Sequence, residues 1–238
     1  MNHPPTPSPT LSLAIPELAA LLQLASPALP VGAFSYSSGL EAAVEHGLVT
    51  DAASARDWIR DGLRDVVGRA ELPLLRRFHA AWCAGDLQMV ADWNAWHLAS
   101  RESAELRSET EQMGWSLVQL IDHLAWGAPE HRTALRALRP AGFPCAYAFA
   151  AVAIGTSYEA AATAFCFCWT ENQVMAAIKS VPLGQSAGQR ILFSLRPEIV
   201  AAINAAAGLS DDEVVSFAPQ LGILSSRHAL QYSRIFRS

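Results

Sequence analysis

The chain almost lacks lysine: of its seventeen basic residues only Lys179 is one, and the others are arginine. It is poor in charge of either sign, at 16% of residues, where about 25% is usual. A net charge of -5 argues against a general nucleic-acid binder, which needs a basic face. Beyond Glu213 there is no acidic residue, while Arg227, Arg234 and Arg237 follow. A short basic end on an acidic body is read as a docking or solvated tail and not as a catalytic device. Cysteine is scarce too. Cys83, Cys145, Cys166 and Cys168 form no Cys-x-x-Cys pair, and two of them lie in a strongly apolar stretch. The expectation is four buried free thiols in a reducing compartment, with neither disulfide nor metal.

Other absences narrow the function. No Gly-x-x-x-x-Gly-Lys-Ser/Thr loop is present to cradle phosphates, and the Gly-rich pieces, Gly32 to Gly39 and Gly184 to Gly188, lack its spacing and its lysine. There is no Gly-x-Ser-x-Gly elbow, no pair of histidines four apart and no Glu-x-x-His pair. No run alternates apolar and polar residues with β-branched enrichment. Residues 140–158 are uncharged but broken by Pro140, Gly142, Pro144 and Gly155, so their best apolar core, 145–154, is too short to span a bilayer. A buried core helix is expected there. The N-terminus carries no lysine or arginine and is broken by Pro4, Pro5, Pro7, Pro9 and Pro16, which does not read as a signal peptide. Residues 1–15 read as a disordered proline-rich tail, 16–225 as one helical domain, and 226–238 as a basic tail.

What remains is helical spacing. Hydrophobic residues reach 51%, enough for a real core and for wide interfaces. Leu18, Leu21, Leu22 and Ala25 share one face, and the helix should stop before Pro27, because a residue preceding proline is pushed out of the α region. Residues 51–69 set Trp58, Ile59, Leu63, Val66 and Val67 on one stripe, and a separate helix is expected at 70–84. Asp86 should cap a helix bearing Val90, Trp93, His97 and Leu98. Residues 102–126 place Met113, Leu117, Leu120, Ile121 and Leu124 at amphipathic spacing. The stretch 158–181 is apolar on every side through Phe165, Cys166, Phe167, Cys168 and Trp169, as a central helix would be. Shorter helices fit at 130–138, 184–195 and 197–207. The fold class is all-α, a single compact multi-helix domain.

Candidate chemistry is sparse. Glu41 and Glu45 sit four apart beside His46, but Ser38-Gly39-Leu40-Glu41 matches a capping box, a simpler role for Glu41 than a metal ligand. Arg101 is expected to pair with Glu105, and Arg107 with Glu111, in a solvated ladder. An all-α enzyme with an inter-helix ligand pocket, using Glu41, His97 or His123 as acid or base, is the alternative. A peripheral membrane protein using 140–170 and the arginine-bearing end is another. No catalytic residue and no metal ligand is assigned.

Two segments look unusual for plain core. In 26–41, Pro27, Pro30 and Gly32 stiffen a non-helical connector that exposes backbone amides and carries Phe34, Ser35 and Tyr36. It serves equally as a link between helices and as a recognition surface. In 179–189, Pro182 ends the helix after Lys179, and Gly184, Ala187 and Gly188 form a small-residue face beside Gln185 and Gln189. That face suits tight internal packing or a partner.

These segments also carry a resemblance. Residues 21–37, followed by Gly39-Leu40-Glu41, resemble the N-terminal motif of the UreF family of urease accessory proteins. Arg101-Glu102-Ser103-Ala104-Glu105-Leu106-Arg107 with Met113-Gly114 resembles its central helix, Val181-Pro182-Leu183-Gly184-Gln185 its post-kink motif, and residues 232–238 its tail. Ser38 stands where glutamine is expected, and Arg227-His228-Ala229-Leu230 lacks an acidic residue often found there. The resemblance implies a cytoplasmic homodimer without catalytic residues or cofactor. It would join UreD (also called UreH), recruit the GTPase UreG and dock on apo-urease subunits for nickel insertion. Such a protein would couple the GTPase state to metal transfer or provide a route for the ion. By the same resemblance Tyr232, Ser233, Arg234, Phe236 and Arg237 would face UreD, ordering on partner binding. Pro30, Gly32, Phe34, Ser35, Tyr36, Glu41, Lys179, Pro182, Gly184, Gln185 and Gln189 would face UreG.

Overall fold

The computed structural model describes residues 14–216, 218–228 and 235–236. Among them there are helices and no strand, so the protein is all-α. In chain order the helices are α1 (Ile15–Leu24), α2 (Leu40–Glu45), α3 (Ala52–Gly62), α4 (Leu72–Ala84), α5 (Leu87–Ala99), α6 (Ala104–His123), α7 (Pro129–Ala137), α8 (Phe143–Ala153), α9 (Tyr158–Ser180), α10 (Gln185–Ser194), α11 (Arg196–Ala207) and α12 (Pro219–His228).

Two helices form the centre. In α8 every residue from Pro144 to Ala151 is buried, and its alanines let α4 and α6 approach from two sides. Trp82 of α4 seats edge-on against Phe149, centroids 5.0 Å apart, and donates its indole N–H to the Cys145 carbonyl at 3.3 Å. Residue 114 of α6 has to be glycine for the crossing, because a Cβ there would collide with the Ala141 carbonyl oxygen. Helix α9 runs through the middle and touches α1, α2, α3, α4, α8, α10 and α11. Fully buried Phe78, Leu74 and Leu75 on α4 each contribute about 1.5–3 kcal/mol of burial. The expected buried core helix and central helix are therefore α8 and α9. No helix among the described residues is long and apolar enough to cross a membrane.

One expectation fails instructively. Residues 51–69 and 70–84 are not separate helices, because the backbone stays helical from Ala52 to Ala84 through a π segment, Leu63–Glu71. There Leu72 donates to the Val67 carbonyl, five residues back. Pro73 explains the widening. It has no N–H for the Arg69 carbonyl, and its ring crowds that oxygen in a regular α turn. The freed Arg69 carbonyl accepts instead from the Val215 amide at 3.2 Å.

Local signals at several helix ends behave as the sequence suggests. Asp86 accepts from the Met89 amide at 3.0 Å and caps α5, α1 stops ahead of Pro27, and Arg107 pairs with Glu111 at 2.7 Å. The expectation of four buried thiols holds for Cys145 and Cys166 and is corrected for the other two, since Cys83 is exposed in the last turn of α4 and Cys168 is only half-buried. The expectations for residues 1–13, and for Tyr232, Ser233, Arg234 and Arg237, lie outside the described residues.

Candidate functional site

The stiff connector between α1 and α2 is shaped by two left-handed glycines. Gly32 (φ 77°) opens a single 3₁₀ turn at Ala33–Ser35, and Gly39 (φ 81°) opens α2. A Cβ on Gly39 would also fall 2.7 Å from the Leu221 side chain of α12, which would have to shift. Val31 and Tyr36 turn inward and are buried, Phe34 and Ser35 are half-buried, and Pro30 and Gly32 are exposed.

The capping box expected at Ser38 and Glu41 does not form. Ser38 is itself left-handed (φ 47°), the helix starts one residue later, and the Ser38 hydroxyl donates to Glu109 at 3.0 Å. The Glu41 amide is satisfied by the Ser37 hydroxyl. The Glu41 carboxylate, 8% exposed, turns instead to the far end of the chain. It accepts the backbone amides of Ile235 at 2.7 Å and Phe236 at 3.2 Å. Hydrogen bonds to a charged acceptor are roughly twice as strong as neutral ones. The Phe236 ring is 6% exposed and lies under the Lys179 ammonium, with Nζ 5.3 Å from the ring centroid. That is cation–π distance. The lone lysine, the connector glutamate and a tail aromatic thus meet at one place.

The central motif holds the same region from the other side. Its expected Arg101–Glu105 pair is not what forms. Arg101 reaches Glu71 of the π segment at 2.6 Å and the Ser216 hydroxyl at 3.0 Å, with side chains only 7% and 13% exposed in the ion pair. Glu102 accepts from the Ala218 amide, and the Ser103 hydroxyl lies 3.0 Å from that of Ser225. Three consecutive residues therefore fasten the strap that precedes α12, and α12 itself. Burial pushes the Glu71 carboxyl up, but the Arg101 charge, the neighbouring His97 and the Arg101 hydrogen bond together outweigh it, leaving the group below its ordinary value. His97, fully buried and 3.1 Å from the Thr110 hydroxyl, is lowered to about 4, chiefly by desolvation.

Beyond Lys179 the second segment splits in two. Gly188 is internal packing, since a Cβ would collide with Ile178 and stand 3.2 Å from Val174. Pro182, Gly184, Gln185 and Gln189 are exposed and keep the surface reading open. Val181 is buried beneath them.

A cavity of about 150 Å³ lies between the connector, α6, α8 and α9, lined by Val31, Phe34, Tyr36, Met113, Tyr147 and Phe165 among others. Glu71 and Arg101 on its wall already neutralise one another. Glu41, His97 and His123, the acid–base candidates, are not among its described lining residues. Among the described residues no group of three or more His, Cys, Asp or Glu is placed to hold a metal ion.

Sequence reasoning missed the Glu41–tail bonds, the Arg101–Glu71 pair and the anchoring of α12. The one available signal was Glu41 itself, a carboxylate in a connector of otherwise uncharged residues.

The fold and its site define a helical protein whose motifs converge on a seat for a peptide segment. A family model described as UreF matches residues 49–196, well over half of the chain, and the chain belongs to the UreF family. Membership makes it a protein of urease accessory type.

Proposed function

We propose that this protein is a non-catalytic adaptor of urease maturation. It joins UreD (UreH), recruits the GTPase UreG and brings both to apo-urease subunits for nickel insertion, working in the cytoplasm as a homodimer. The observation that carries this reading is the meeting of Glu41, Lys179 and Phe236, drawn from three separate motifs, at one peptide seat. A seat of this kind couples the tail to the connector energetically. A partner that grips the tail region thereby sets the geometry of the Glu41–Lys179 surface. In this reading residues from Tyr232 to Arg237 contact UreD. The exposed Pro30, Gly32, Lys179, Pro182, Gly184, Gln185 and Gln189, with the half-buried Phe34 and Ser35, form the UreG-facing surface, and the buried Tyr36 and Glu41 support it from beneath.

Co-expression with UreD and UreG tests it. Truncation of residues 226–238 is expected to abolish the UreD complex. Glu41→Ala or Lys179→Ala is expected to reduce UreG capture while UreD binding persists. An intact complex and full urease activation after truncation would overturn the tail assignment. Undiminished UreG capture by both alanine variants would overturn the other.

A further inference from the structure

Cys83 differs from the other thiols. Cys145 and Cys166 are buried, and Cys168 donates to the Ala25 carbonyl at 3.1 Å, whereas Cys83 is exposed in the last turn of α4. One helical turn earlier on the same face is His79, whose Nδ1 is 3.7 Å from the Cys83 sulfur. The His79 ring is already fixed. Its Nε2 lies 2.9 Å from the Thr156 carbonyl oxygen, which can only accept, so the proton sits on Nε2 and the Nδ1 lone pair faces the sulfur. Thr156 is buried and bonds back to Ala151, and the Tyr158 ring stands edge-on to the imidazole at 6.4 Å.

From this geometry we infer that His79 and Cys83 form a two-ligand surface site for a borderline-soft divalent cation such as zinc. A carbonyl acceptor on the far nitrogen is the usual outer support of a metal-bound histidine, because it fixes the tautomer and the ring orientation. A zinc ion at ordinary Zn–S and Zn–N lengths in tetrahedral geometry separates the two donors by about 3.6 Å, close to the spacing present without it. Cys83 stands in a C-terminal turn, where the helix dipole favours a cation. Cys83 is exposed, His79 is half-buried, and neither lines the cavity described above. Binding displaces the thiol proton to solvent and forms one metal–sulfur and one metal–nitrogen bond. The remaining positions are left to water or to a donor from another molecule. The inference is independent of the adaptor role.

Cadmium titration of the full-length, reduced protein tests it through the thiolate-to-metal charge-transfer absorption. The wild type is expected to develop the band, Cys83→Ser to lose it, and His79→Gln to weaken binding by about tenfold or more. The glutamine amide can still donate to Thr156, and matched circular dichroism melts check that each variant folds. Cadmium should also protect Cys83 from alkylation in the wild type and much less in His79→Gln. A band that survives Cys83→Ser would overturn the site, as would equal affinity or equal protection in His79→Gln.

Discussion

Glu41 accepts two consecutive backbone amides with one carboxylate, and Lys179 covers the ring that follows. Glu41→Gln keeps an acceptor oxygen but loses the charge. Hydrogen bonds to charged groups are worth about 1.5–3 kcal/mol, so amide exchange at Ile235 and Phe236 should accelerate by at least about tenfold. Unchanged protection of those amides would show that the carboxylate does not hold them. His97 gives a pH dependence of opposite origin. Its folded value of about 4 lies below the 6.5 of an unperturbed histidine. Between those values the unfolded chain binds a proton that the folded chain refuses. Stability from this group is therefore complete above pH 6.5 and falls as pH drops toward 4, by about 3 kcal/mol in total. Urea unfolding from about pH 7.5 to 4 should show the slope, and His97→Gln should flatten it. At this scale the sequence was only half legible. Asp86 and the Arg107–Glu111 pair act within one or two turns of themselves, so spacing found them. Glu41 and Arg101 take partners far along the chain, and local rules gave each a neighbour it does not use.

Helices were far more legible than their junctions. The periodicity of 158–181 and the apolar run at 145–154 located α9 and α8, because burial on several sides leaves the same mark in composition and in structure. The junction near residue 70 was misread because a π turn keeps the helix going where the pattern shifts phase. Pro73 was the visible clue, since a proline inside a helical pattern demands a break, a kink or a widened turn. Element packing also yields a sharp test in α6. Gly114→Ala sets a methyl against the Ala141 carbonyl, a backbone atom with little freedom to retreat. Overpacking of this kind costs about 1–3 kcal/mol, and a collision with backbone on the far side puts the expected loss at the upper end. A thermal melt equal to that of the wild type would mean that α6 and the 141–143 segment move apart freely.

Over the whole molecule, four motifs that lie far apart in sequence share one region: the connector, the Arg-Glu-Ser start of the central motif, the end of α9 and the tail. Their order along the chain was legible, but their convergence was not, because it depends on how α6 and α9 cross. The Arg69 carbonyl extends this convergence beyond the motifs. Deprived of a partner by Pro73, it holds the Val215 amide, and the neighbouring Ser216 and Ala218 are held by Arg101 and Glu102. The missing hydrogen of one proline thus acts at long range, as a mooring point for a chain segment synthesised much later. Pro73→Ala would hand that carbonyl a rival donor within its own helix. Faster amide exchange at Val215 is the expected result, and an unaltered rate would show that the mooring holds without the proline. A residue buried in α4, away from every surface proposed for a partner, would then set how firmly the last helix is tied down.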